Sequence, residues 1–153
     1  MLTSCNDPLS NNFFEFLFNS KGINVTGQCY DQPSLFGEGR FYEIYSMSEV
    51  DILITKKNIL NKSHFKLSNK YFKYKIPKWK KTPVLNEFDT VYLFIQNEMK
   101  EEENTCFQAE TLKDVLKQEG NFYTFLYDNL GGKKLFIWDV REEKLYHLTS
   151  HEL

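Results

Sequence analysis

The reading of this chain turns on NFYTFLYDNLGGKKLFIWDV, residues 121–140. Two runs rich in aromatic and β-branched residues flank Asn129–Lys133, and a turn containing Gly131-Gly132 between such runs predicts a β-hairpin. The same glycines are better spent on that turn than on a phosphate-binding loop, because no Gly-rich phosphate motif surrounds them. Downstream, EKLYHLTS predicts one further strand. Upstream, ETLKDVLKQEG predicts a helix ended by Gly120, EMKEEEN a solvated loop, and TVYLFIQ a buried strand.

Further from the hairpin the pattern alternates between strand and helix. HFKLSNKYFKYKIP predicts a second hairpin about Asn69-Lys70, with Phe65, Leu67, Phe72, Tyr74 and Ile76 on one face and Lys66, Lys73 and Lys75 on the other. IPKWKKTP is a proline-bounded loop that lays Trp79 over the core while its lysines stay wet. SMSEVDILITKKNIL carries both signals. Ser46 and Glu49 have capping-box spacing, whereas Val50, Ile52 and Ile54 alternate, and helix is the preferred reading. Strands are expected at Phe41–Met47 and over residues 23–30, with a turn at Asp31–Ser34. SNNFFEFLFNSKG predicts a short helix capped by Ser10 or Asn11 and stopped by Gly22. The sum is an α+β fold: one domain over residues 10–153, a mostly antiparallel sheet and two or three short helices, preceded by a tether at residues 1–9.

Composition agrees with a packed domain. The 153 residues are 41% hydrophobic and 16% aromatic, enough for a real core. No run approaches the roughly 20 apolar residues of a membrane span. Net charge is −2, but it is unevenly laid down. From Ile52 to Asn86 there are ten lysines and no acid, whereas residues 87–119 carry nine acids against three lysines. Lys66, Lys70, Lys73, Lys75, Lys78, Lys80 and Lys81 form the candidate basic surface. The chain holds seventeen lysines and two arginines, which argues for diffuse electrostatics over bidentate reading of phosphates or base edges.

The three cysteines are Cys5, Cys29 and Cys106. None has CxxC spacing and the three histidines are scattered, so neither metal nor cofactor is expected. Cys29 and Cys106 either bridge in an oxidising compartment or remain thiols in a reducing one.

Leu2-Thr3-Ser4-Cys5 spells a lipidation signal. A short Phe-rich helix follows, then a strand, then Gly37-Glu38-Gly39 leading into FYEIYSM, then Trp79 and Pro83, then the hairpin with Asn121-Phe122, Tyr127-Asp128 and LFIWD. In that order these features resemble a group of small bacterial lipoproteins that has no established activity. The resemblance implies acylation at Cys5, residues 6–12 as a polar spacer, and a cell-envelope location with membrane lipid as one partner.

Enzyme motifs are thin. Asp51 with a later Glu-x-Lys, either Glu98-Met99-Lys100 or Glu142-Glu143-Lys144 beside Asp128, has the letters of a metal-dependent nuclease but not its short spacing. His147-Leu148-Thr149 is half of a paired His-x-Thr phosphoesterase site, and it reads more simply as a surface histidine at a strand end. No Gly-x-Ser-x-Gly elbow occurs. The expectation is a non-catalytic envelope lipoprotein of binding or immunity type, engaging a toxin or an envelope component. The alternative is a cytoplasmic protein whose lysines and interleaved Phe72, Tyr74 and Trp79 meet nucleic acid or an acidic protein.

Overall fold

The quoted stretch supplies two adjacent, antiparallel strands of one sheet. In the computed structural model residues 9–31, 40–60, 74–99, 106–127 and 132–150 are described. The elements are α1 (Asn11–Phe18), β1 (Val25–Asp31), β2 (Arg40–Met47), α2 (Glu49–Ile59), β3 (Lys80–Lys81), α3 (Thr90–Glu98), α4 (Ala109–Lys117), β4 (Phe122–Tyr127), β5 (Lys133–Asp139) and β6 (Lys144–Ser150). The six strands lie in the order β1-β2-β6-β5-β4-β3, every neighbouring pair antiparallel. This is an α+β fold built on an antiparallel sheet.

Side chains alternate across each strand, so one register sorts two cores. Tyr45, Met47, Phe122, Leu126, Phe136, Trp138 and Leu145 face one side, where Phe13, Phe14, Phe16, Leu17 and Phe18 of α1 and Ile52 and Ile59 of α2 cover them. Tyr42, Tyr123, Leu135, Ile137, Tyr146 and Leu148 face the other, under Val91, Phe94 and Ile95 of α3 and Leu112, Val115 and Leu116 of α4. A sheet covered on both sides needs apolar residues at consecutive positions, which is why FYTFLY and LFIW read as continuous runs.

Helix ends follow their caps. Ser10 Oγ accepts from the Phe13 N–H at 3.3 Å, and Asn19, in the left-handed region at φ 51°, ends α1 before Gly22 is reached. The segment TVYLFIQ is a helix, not the expected strand. Asp89 Oδ1 accepts from the Val91 N–H at 3.1 Å, and the buried residues Val91, Tyr92, Phe94 and Ile95 recur at helical spacing. Its β-favouring composition yields to that cap and to packing on α4, because strand propensity mostly reports burial. With it the described residues hold four helices where two or three were expected. The ambiguous SMSEVDILITKKNIL is helical, as preferred, but its N-cap is Ser48 in place of Ser46.

Of the hairpin expected about Asn69-Lys70, residues 61–73 lie outside the described residues. From Tyr74 onward the chain runs along β4: the Lys75 N–H donates to Tyr127 O at 3.2 Å, and Lys80 and Lys81 pair with Tyr123 and Phe122. Between these points Trp79 turns inward, its Nε1–H donating to Leu17 O at 2.8 Å and its ring stacked on Phe18 at 5.1 Å.

Candidate functional site

Three places emerge when side chains are set on this frame. The first was not legible as a site. In the β2–β6 register Glu43 lies opposite His147, and in the β6–β5 register His147 lies opposite Phe136. His147 Nδ1 is 2.7 Å from Glu43 Oε2, and the imidazole stacks on the Phe136 ring at 4.5 Å with planes 4° apart. The Tyr45 hydroxyl donates to the same Glu43 oxygen at 2.7 Å and accepts from the Leu9 N–H at 3.4 Å. Leu9 leads into α1, so this network also fixes where the N-terminal segment joins the domain.

The electrostatics are those of a buried carboxylate with dedicated donors. Burial by itself pushes Glu43 up. The hydrogen bond and charge of His147, the Tyr45 hydroxyl and the charge of Lys134 together outweigh it, and the carboxyl is held below its ordinary value. The Tyr45 phenol is pushed strongly upward, by burial first and then by Glu43. An ionised Glu43 at this distance requires a proton on His147 Nδ1. His147 is 2% exposed in mid-strand, so the expectation of a surface histidine is corrected: only the register, which the sequence does not display, places it inside. That burial closes the pair to bulk solvent. Its direct consequence is a coupling of protonation to stability.

The second place is a cleft of about 380 Å³ where the 84–89 loop meets α3 and α4, lined by Phe88, Tyr92, Leu93 and Gln96 with Glu87, Glu110, Lys113 and Lys117 at its margins. Strong backbone links build it. The Val84 N–H donates to Leu116 O at 2.8 Å, and the Tyr92 hydroxyl donates to Val84 O at 2.6 Å. Thr82 hydrogen bonds Gln118 O and Asn121, and Asn121 joins Val115 O to the Val140 N–H. On this rigid base Leu85 is 82% and Phe88 81% exposed. These two large apolar side chains make the 84–89 loop a candidate interaction surface. Glu110 and Lys113 pair with each other at 3.2 Å, leaving the rim near neutral.

The third place is the basic surface. Lys66, Lys70 and Lys73 lie outside the described residues, as does Cys5. Lys75, Lys78, Lys80 and Lys81 are exposed, while Tyr74 and Trp79 pack against the first core. Tyr74 and Trp79 therefore face the protein and not a stacking ligand, while Phe72 lies outside the described residues. Lys80 leans over Tyr123 on the second face, its Nζ 6.0 Å from the ring centroid.

Cys29 on β1 and Cys106 ahead of α4 form a disulfide with a Cα separation of 5.7 Å. A register shift between Gly27 and Cys29 turns Cys29 toward Cys106 on the second face. It also brings the Tyr30 phenol across Gly27, where any Cβ would collide with the ring.

For the enzyme letters, Asp51 lies within a helix and not on the strand a nuclease site needs, and Glu98 ends α3. Among the described residues no group of three or more His, Cys, Asp or Glu is placed to hold a metal, and no helix is long and apolar enough to cross a membrane. No protein-family model, curated protein or solved structure matches the chain.

Proposed function

We propose that this protein is a non-catalytic binding protein of the cell envelope, tethered by an acylated Cys5 and engaging a protein partner, either a secreted toxin it neutralises or an envelope component. The observation that carries this reading is the disulfide between Cys29 and Cys106. Such bonds persist in oxidising compartments and are rare where thiols are kept reduced. The location agrees with the lipidation signal at Leu2–Cys5.

Partner binding is supported by the cleft at the α3–α4 end. Phe88 is a rigid aromatic anchor with few conformational degrees of freedom to lose, and Tyr92 and Leu93 form the apolar floor beside it. Acidic and basic residues at the rim suit a polar border that excludes water around such an anchor. More than one acyl chain on Cys5 would hold the domain at a bilayer without any spanning helix.

Mass spectrometry of protein made from its native locus tests the reading. The expected result is a lipid-modified N-terminal peptide in the membrane fraction, with Cys29 and Cys106 joined before reduction. An unmodified chain in the soluble fraction with both thiols free overturns it.

A further inference from the structure

Helix α2 is apolar on both sides. Ile52, Thr55 and Ile59 point into the first core, and the opposite side presents Leu53, Ile54 and Leu60, exposed at 72, 53 and 48%, around Lys57. Helix burial normally removes one stripe and leaves the other polar. Here the stripe that faces away from the core is as aliphatic as the one that faces in, and packing among the described residues does not account for it.

This stripe belongs to a layer with lysines on two of its three elements, Lys56 and Lys57 on α2 and Lys75 and Lys78 on the 74–79 strip, against Glu15 on α1 and Glu49 and Asp51 in the first turn of α2. The Asn58 side chain donates to Ser20 Oγ at 3.0 Å, tying α2 to the end of α1. On the other flank of α1, Trp79 bonds Leu17 O, and the Tyr74 ring lies 6.0 Å from Phe13 and 6.3 Å from Phe16. Helices α2 and α1 thus lie side by side on one face of the sheet, and the 74–79 strip runs beside α1 along the β4 edge. The strip adds an exposed Ile76 beside Lys75 and Lys78. No acidic residue occurs from Ile52 to Asn86.

We infer that this layer is a docking face for an anionic lipid surface. Exposed aliphatic side chains bordered by lysines suit the headgroup–acyl boundary: the alkyl groups enter it, and the ammonium groups reach the phosphates. Lysine without arginine suits a diffuse anionic plane and not a bidentate site. The inward packing of Tyr74 and Trp79 takes two of the three interleaved aromatics away from any stacked base. The position of the tether points the same way. Cys5 lies four residues before Leu9, within about 14 Å of chain, and Leu9 opens α1 in this layer. The inference deepens the proposed tethering at Cys5, and it leaves the cleft between α3 and α4 pointing away from the membrane toward a partner.

The test uses the full chain with Cys5→Ser, which cannot be acylated, so its outcome is separate from that of the mass measurement. Co-sedimentation is measured with vesicles of equal parts phosphatidylglycerol and phosphatidylcholine, and with phosphatidylcholine alone. Binding is expected to the mixed vesicles, weakening as salt is raised, and not to the neutral ones. Leu53→Asp with Ile54→Asp is expected to weaken it at least about tenfold, and Lys57→Glu several-fold. Phe88→Ser is expected to leave it unchanged. Circular dichroism establishes that each variant is folded, and the exposure of these side chains makes that the expected result. A folded protein that ignores anionic vesicles overturns the inference. So does vesicle binding indifferent to the Leu53 and Ile54 changes, or retention of single-stranded DNA in place of vesicles at the same salt.

Discussion

The two faces of the sheet are closed by different means. On the first face closure comes from side-chain packing. Every apolar residue of α1 is buried, Phe14 packs edge-on against Tyr45 at 4.8 Å, and Phe18 sits between Trp79 and Trp138 at 5.1 and 5.3 Å. Set into that apolar layer is the Glu43–His147–Tyr45 network. On the second face the packing is more aliphatic and the closure is reinforced through the backbone and a covalent bond: the Thr82, Val84 and Asn121 links, and the disulfide that ties edge strand β1 to the segment before α4. The difference reflects depth. Helix α1 is flanked by α2 and the 74–79 strip, whereas α3 and α4 have outer surfaces of their own, so they bury one stripe each and need other attachments.

Breaking the covalent tie is expected to have the largest effect. Replacing Cys29 and Cys106 together by alanine releases a loop of 77 residues and should lower stability by about 4 kcal/mol in the chain-entropy account, read from denaturant unfolding of the oxidised wild type and the variant. Reductant should shift the wild type toward the variant and leave the variant unmoved.

On the first face the corresponding change is Glu43→Gln. It strips the charge from a buried partner of His147 and should cost about 3 kcal/mol. Glu43→Met combined with His147→Phe removes both polar groups, keeps a ring stacked on Phe136, and should recover most of that loss. If the double variant is no better than the single one, the network is not the unit described here.

Acid sharpens the same contrast. Glu43 is held below its ordinary value in the folded protein, so its contribution is fully present above the unfolded carboxyl value of about 4.3 and is lost as pH falls through the folded value. Asp139 runs the other way: burial raises it, so its penalty at neutral pH is relieved as pH falls. Glu43→Gln should therefore flatten the acid limb of stability against pH between about pH 5 and pH 3, measured by denaturant midpoints across that range.

Smaller effects belong to the second face. Asp89→Ala removes the cap that makes TVYLFIQ a helix and should cost about 1 kcal/mol. Phe88→Ser, at a side chain 81% exposed, should change stability by less than about 0.5 kcal/mol by thermal unfolding. A large loss there would mean that Phe88 supports the fold and is not an interaction anchor.

Much of the architecture was legible because local signals agreed with the tertiary fold. Ser10 caps α1, β4 and β5 pair antiparallel on either side of residues 128–131, which lie outside the described residues, and Phe41–Met47 and EKLYHLTS are strands in place. Helix α3 was misread for a physical reason: Val, Tyr, Leu, Phe and Ile favour strands when half-buried, and only the Asp89 cap and the spacing of the buried positions betray the helix. His147 was misplaced at the surface for another reason, and its pairing with Glu43 was not legible. The pair's members are 104 residues apart, and a lone histidine near the C-terminus carries no sign of its partner.

The sequence by itself determined most of the local elements, α3 apart, together with the lysine-rich block without acids and the three cysteines, since caps, turns, periodicity and charge are properties of short stretches. The tertiary structure alone decided that β2 pairs with β6, and with that pairing came the burial of His147 against Glu43. It also decided that Cys29 meets Cys106, and that the outward side of α2 stays apolar on the same layer as the lysines. These depend on long-range register and on which face each strand offers, and a shift of one residue in either would reverse them.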